Sequence, residues 1–315
     1  MSDLGPAITT PLTGIGLKIA SVAVFMSMAA LIKVLAGSVP PGEVVFFRSA
    51  FAAPVILIWL MATRSLGSGL ATRNYTGHFW RGLVGTAAMG FGFAGLALLP
   101  LPEVTAIGYA APLLTVIFAA MFLGEEVRAF RILAVALGMA GVMLILSPRL
   151  AALSGGAVGA TEALGAVVVL VGAVFTALAQ VFVRRLVAEE TTTAIVFFFS
   201  INAALLSLVT VPFGWVWPPP GTFALLVGAG LLGGIGQVLL TSSYRYAPAS
   251  VVAPFEYASM LLALGVGYFA FGEVPSGIVL LGAAVVILAG IVIIWRESQL
   301  GLERARQRQS MTPQG

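Results

Sequence analysis

The 315 residues include no cysteine and a single histidine, His78. Without cysteine there are no disulfides, no thiolate nucleophile and no thiolate-bound metal; one imidazole cannot assemble an ion site. Charge is scarce as well. Asp, Glu, Lys and Arg make up 9% of the chain, against about 25% in a soluble domain, so the sequence cannot dress a globular surface in polar groups. No Walker A pattern or other phosphate cradle occurs, which excludes nucleotide hydrolysis as a built-in drive. The carboxylates sit mostly at helix ends, without a base or metal cluster to make an enzyme of the chain. No cofactor or metal is expected.

What the sequence has in excess is apolar length. Hydrophobic residues make up 60% of it and the mean hydropathy is +1.07. Glycine is abundant at 37 residues, which suits closely packed membrane helices. Apolar stretches able to cross a hydrocarbon core of about 30 Å fall at 14–36, 43–62, 80–99, 102–123, 130–147, 163–187, 192–214, 222–243, 249–271 and 277–295. Turn chemistry separates them: Pro40-Pro41-Gly42, Pro100-Leu101-Pro102, Ser147-Pro148, Pro218-Pro219-Pro220-Gly221 and Pro275. The first stretch lacks a cleavage-site flank and reads as a permanent span. The polar tail from Arg296 is expected to end in disorder. This gives a short segment 1–13, a first unit 14–147, an external linker 148–162, a second unit 163–295 and a tail 296–315.

Ten spans return the chain to the side it started from. With the termini inside, thirteen of the 16 Lys and Arg residues lie on that side and three, Lys33, Arg48 and Arg149, on the other. The positive-inside rule therefore predicts cytoplasmic termini. It also accounts for the net charge of +4 better than a nucleic-acid partner does; the expected partners are the lipid bilayer and a small molecule.

The halves repeat. An offset of 148 carries Gly82 to Gly230, Gly85 to Gly233, Pro100 to Pro248, Tyr109 to Tyr257 and Gly124-Glu125 to Gly272-Glu273. Near the start of each half Ala23-Val24-Phe25 matches Ala173-Val174-Phe175, and Val45-Phe46-Phe47 with Ser49 matches Val196-Phe197-Phe198 with Ser200. Five spans per half is an odd number, so the second half enters inverted. The fold expected is all-α: ten transmembrane helices as two inverted five-helix repeats, with a site near the midplane between them.

Polar groups inside a bilayer are costly, so each is a candidate for function. Glu256, two turns into the ninth span, either couples protons or binds an ammonium, or else pairs with a cytoplasmic arginine such as Arg245. Tyr109 and Tyr257, the repeat-related pair, either face a cavity or pack and bond a carbonyl. The amides Asn202, Gln180 and Gln237 act as interhelical ties or line the cavity. Arg48, a turn and a half into the second span, binds a substrate carboxylate or pairs with Glu43. Lys33 is expected to snorkel to the interface, His78 to sit in a polar inner loop, and the Gly-Glu pairs to serve helix ends. The hydroxyls of Ser27 and Thr176 are expected to bond their own preceding turn. The glycine runs of the third and eighth spans suit either moving or static close contacts, and Ala134 with Gly138 a contact within or between chains.

Gly-Glu after the fourth and ninth spans, Phe46-Phe-Arg-Ser49, and the glycine-rich fifth and tenth spans resemble the drug/metabolite transporter superfamily, in its EamA-type branch. The stretch Pro100–Leu146, with Tyr109-Ala-Ala-Pro112 and Gly138-Met-Ala-Gly141, is its most typical portion. The resemblance implies a ten-helix inner-membrane carrier, a monomer or weak homodimer, open to one side at a time around a central cavity. It further implies a cargo of small metabolites, amino acids, neutral or aromatic, foremost, with vitamins, nucleosides or cationic drugs as alternatives, and outward movement, with import as the alternative direction. Glu256 departs from a plain copy, since its counterpart is Gly108.

Overall fold

Proline sets where several spans begin. A proline in the first turn has no N–H to leave unpaired and a φ already suited to a helix. In the computed structural model, which describes residues 11–123, 129–151, 157–187, 189–247 and 249–311, Pro41, Pro102 and Pro220 stand in the opening turns of α2 (Pro41–Ala62), α5 (Leu101–Gly108) and α10 (Pro220–Tyr246). The other helices are α1 (Pro11–Leu35), a single turn α3 (Leu66–Gly69), α4 (Tyr75–Leu98), α6 (Ala110–Leu123), α7 (Ala129–Ala151), α8 (Ala157–Val187), α9 (Thr192–Ser207), α11 (Ala249–Val252), α12 (Ala258–Phe271) and α13 (Gly277–Met311). Among the described residues, ten spans are long and apolar enough to cross a membrane. The described residues contain no strand.

Two spans are broken where the sequence predicts continuous helices. The fourth divides into α5 and α6 at Tyr109, and the ninth runs α11, a 3-10 stretch Ala253–Tyr257, then α12. Pro112 and Pro254 explain the breaks, since neither can donate to the carbonyl four residues back. Pro148 does the opposite of what was expected and lies inside α7. The carbonyl it cannot serve, that of Leu144, accepts the Ser147 hydroxyl at 2.8 Å. Helices α7 and α8 thus extend into the stretch predicted as linker, and α13 continues into the tail as far as Met311; the end of the tail, where disorder is expected, lies outside the described residues. That tail is rich in Glu, Arg and Gln, which favour helix.

The repeat is visible as an exchange of partners. Helix α1 packs along α10, and its counterpart α8 packs along α4; α2 packs on α10, and its counterpart α9 on α4. Counterparts meet each other at α2 with α9, α5 with α12, and α7 with α13. This is the signature of a two-fold axis between inverted halves. At α7 and α13 the backbones touch: a Cβ on Gly141 would lie 2.9 Å from the Gly282 carbonyl, so only glycine admits the approach. Gly138 packs on Leu113 within the chain.

Candidate functional site

A cavity of about 240 Å³ lies between the halves. Its walls come from the first three spans of each: Phe25 on α1, Arg48 on α2, Arg81, Gly85, Ala88 and Met89 on α4, Thr176, Ala179 and Gln180 on α8, Phe199 on α9, and Gln237 on α10. The fourth, fifth, ninth and tenth spans contribute no lining residue. They form the scaffold against which the cavity helices stand.

Two arginines dominate the cavity. Arg48 lies about 10 Å along α2 from Pro41, at roughly 1.5 Å per residue, and is 4% exposed. Arg81 enters from the opposite end, about 9 Å along α4 from Tyr75, and its guanidinium lies over the Phe199 ring at 4.0 Å from the centroid. Glycine makes room for both. A Cβ at Gly233 would stand 3.0 Å from Arg48 Nε; one at the repeat-related Gly85 would run into Arg81 Nη1 and sit 2.7 Å from Phe199 Cε2. The glycine runs therefore have a specific use here. With the third span predicted from residue 80, Arg81 counts among the inner-loop charges. The helix starts at Tyr75, capped by Asn74 Oδ1 accepting from Gly77 N at 2.8 Å. An asparagine ahead of an apolar run was the signal available.

Nε and Nη1 of both arginines are buried without a partner. Among the described residues no carboxylate serves them as a counter-ion. Glu43, the expected partner of Arg48, accepts instead from Val216 N at 3.1 Å. Glu103 and Glu162 hold Arg149, Glu256 holds Lys18 and Glu273 holds Lys33 at 2.8 Å. Glu189 accepts from Asn74 Nδ2. Glu190 accepts from Thr72 Oγ1, Arg73 N and Asn74 N. Burial pushes the Glu190 carboxyl up, but those hydrogen bonds and the nearby His78 outweigh it and hold it below the usual range. Glu125 and its Gly124 lie outside the described residues. Every carboxylate whose side chain is described is thus engaged away from the cavity.

Of the residues singled out in the sequence, Arg48, Gln180 and Gln237 come together in the cavity. Gln180 is exposed and marks where the cavity meets the outside. Tyr109 and Tyr257 meet each other instead, edge to face at 5.1 Å, in the apolar core at the two helix breaks. The Tyr109 hydroxyl bonds Ser259 Oγ at 2.6 Å, and the Tyr257 hydroxyl fits against Gly290, which has no side chain to block it. Glu256 is half exposed and paired to Lys18; the Arg245 side chain lies outside the described ones. Asn202 ties α9 to α4 by donating to the His78 carbonyl at 3.0 Å. Thr176 bonds the Gly172 carbonyl and Ser27 the Ala23 carbonyl, as expected.

Two further expectations change. His78 is not in a loop but buried in the first turn of α4, its ring tilted against Phe198 at 4.8 Å between centroids and 3.8 Å from Glu190. Lys33 does not snorkel. It donates to the carbonyls of Leu99 and Leu96, faces the Phe271 ring and pairs with Glu273, which also accepts from Leu101 N at 2.8 Å. Gly272 ends α12 with φ +66, a conformation that favours glycine. Glu273 serves a helix start as predicted, but that of α5 in the other half. These contacts join α1, α5 and α12 at the end of the bundle opposite Gln180.

The pattern describing the EamA-like transporter family matches this chain twice, over residues 12–147 and 163–296. The chain belongs to the EamA-like transporter family. This EamA-like transporter is 29% identical to the pseudopaline exporter CntI of Pseudomonas aeruginosa, over 89% of this chain and 95% of that one. It is 26% identical to an S-adenosylmethionine uptake transporter of Rickettsia felis, over 94% and 97% of the two chains. It is 28% identical to a riboflavin transporter of Rhizobium johnstonii, over 82% of each. A solved crystal structure with 22% identity superposes at a TM-score of 0.62, covering 90% of this chain and 98% of that one, which shows the fold. The EamA-like chain is a membrane transporter of small metabolites, and its named relatives are transporters, not enzymes.

Proposed function

We propose that this EamA-like transporter carries small carboxylate-bearing metabolites, amino acids among them, outward across the inner membrane by alternating access. The observation that carries the reading is the pair of cavity arginines with unpartnered N–H groups. A buried donor left bare costs about 1–3 kcal/mol, and more when charged. A carboxylate presents two acceptors that match the guanidinium fork. Phe25 and Met89 offer an apolar wall, and the carbonyl oxygens of Gln180 and Gln237 can accept from an ammonium.

The two halves rock about the cavity, exposing it to each side in turn. A gradient of substrate or protons drives the cycle. With both termini cytoplasmic, as the Lys and Arg distribution favours, the mouth at Gln180 faces the cytoplasm, the side from which an exporter loads. Neutral and aromatic amino acids are the first substrates to test.

The test is counterflow in proteoliposomes preloaded with single amino acids. Saturable exchange is expected, with an apparent KM raised at least tenfold by Arg48→Gln. Flux that never saturates would indicate a channel. Exchange of uncharged or cationic compounds alone, unaffected by Arg48→Gln, would remove the arginine site from the mechanism. A tag at either terminus should report from the cytoplasm.

A further inference from the structure

We infer that the cargo of this cavity carries two acid groups, one for Arg48 and one for Arg81. The inference rests on the carboxylate reading above and sharpens it. Three observations lead to it. First, the two guanidinium groups enter from opposite ends of the bundle, on α2 and α4, and neither has a counter-ion among the described residues. Second, no acidic residue among the described ones lines the cavity, so a ligand's ammonium would meet only amide oxygens, aromatic faces and two like charges. Third, the Phe199 ring already lies under Arg81, a face that holds the guanidinium in the cavity without supplying a full negative charge.

A ligand with a single carboxylate satisfies one fork and leaves the second cation buried and bare. An unpaired buried charge is destabilising, whereas a paired one is tolerated. Two anionic groups on one small molecule remove both unpaired cations at once, with Gln180 and Gln237 left to bond whatever polar group joins them. A cavity of about 240 Å³ suits a metabolite on the scale of a short α,ω-dicarboxylate or an acidic amino acid. Dicarboxylates and metabolites with one carboxylate and one phosphate share the required chemistry.

The test uses purified full-length protein and ligands matched in size. Glutarate, glutamate and 3-phosphoglycerate are compared with glutaramate, glutamine and glycerate by thermal shift and by competition in counterflow. At least one diacid is expected to bind tenfold or more tighter than its monoacid partner. Arg48→Gln and Arg81→Gln should each abolish that preference, weakening the diacid at least tenfold more than its monoacid partner, with the chromatographic profile unchanged. Which diacid is favoured separates a second carboxylate from a phosphate. Arg48→Lys keeps the charge without the fork and should retain part of the preference, which guards against a variant that merely misfolds. If monoacids bind as tightly as diacids, and Arg48→Gln weakens both, the two-acid inference falls and the carboxylate reading stands. If no acid binds or competes, both fall.

Discussion

Replacing Glu273 by glutamine tests what holds one end of the bundle shut. One carboxylate oxygen lies 2.8 Å from Lys33 Nζ and the other accepts from Leu101 N at 2.8 Å, with the two side chains 12% and 15% exposed. Breaking a buried ion pair from one side costs about 3–5 kcal/mol. Lys33 keeps two carbonyls and the Phe271 ring, so the lower figure, about 3 kcal/mol, is the appropriate one. At 1.4 kcal/mol per decade, that shifts the balance between closed and open forms of this end about a hundredfold. Because the chain has no cysteine, Ala179→Cys places one thiol in the cavity wall. Its reaction with a membrane-impermeant maleimide from each side of oriented vesicles then reports access. With Glu273→Gln, labelling from the Lys33 side should rise by roughly two decades while labelling from the Gln180 side falls. Lys33→Met with Glu273→Gln should recover thermal stability, having no stranded charge, yet stay open at that end. Labelling unchanged within threefold in both variants would refute the assignment of these contacts as the closure.

Three further outcomes are expected. Gly85→Ala should push Arg81 off the Phe199 ring and weaken substrate binding at least tenfold, whereas Gly90→Ala, which meets nothing within 4 Å, should leave binding unchanged; titration by thermal shift distinguishes them. Tyr109→Phe removes the hydrogen bond to Ser259 and should cost about 1 kcal/mol of stability, with transport KM unaffected. Glu190 has a folded-state pKa below its ordinary value near 4.5, so its contribution is present above that value and lost as pH falls through the folded pKa. The Glu190→Gln variant should therefore be less stable than the wild type at neutral pH, and the difference should vanish as acidification protonates the carboxyl in the folded protein.

The ten spans are legible because hydropathy and proline spacing act locally, and lipid enforces helical pairing of every backbone group. The inversion follows from an odd span count and one shared offset. Which polar residues face the cavity is not local. Tyr109 and Tyr257 are conspicuous through their repetition, yet the fourth and ninth spans that carry them form scaffold, and the repeat preserves packing there. Arg48 stood out by its depth in the second span. Arg81 did not, since one misplaced helix start turned an interior charge into a loop charge. Lys33 and Glu273 are 240 positions apart in sequence, and only the crossing of the halves brings them into contact.

Symmetry of fold and asymmetry of chemistry meet at two positions. By the offset that matches Val45-Phe46-Phe47 to Val196-Phe197-Phe198, Arg48 is the counterpart of Phe199; by the offset of 148, Met89 is the counterpart of Gln237. All four line the cavity. In alternating access each half adopts in turn the conformation the other held before. A cargo that meets Arg48 and Gln237 on one side and Phe199 and Met89 on the other in one state meets them from the reversed side in the other. The half-saturation concentration then differs between the two faces of the membrane, with the maximal rates differing in proportion, because equilibrium across a passive carrier fixes only their ratio. Duplication thus supplied a hinge with two equivalent positions, and the divergence of these two pairs made those positions unequal to the molecule passing through.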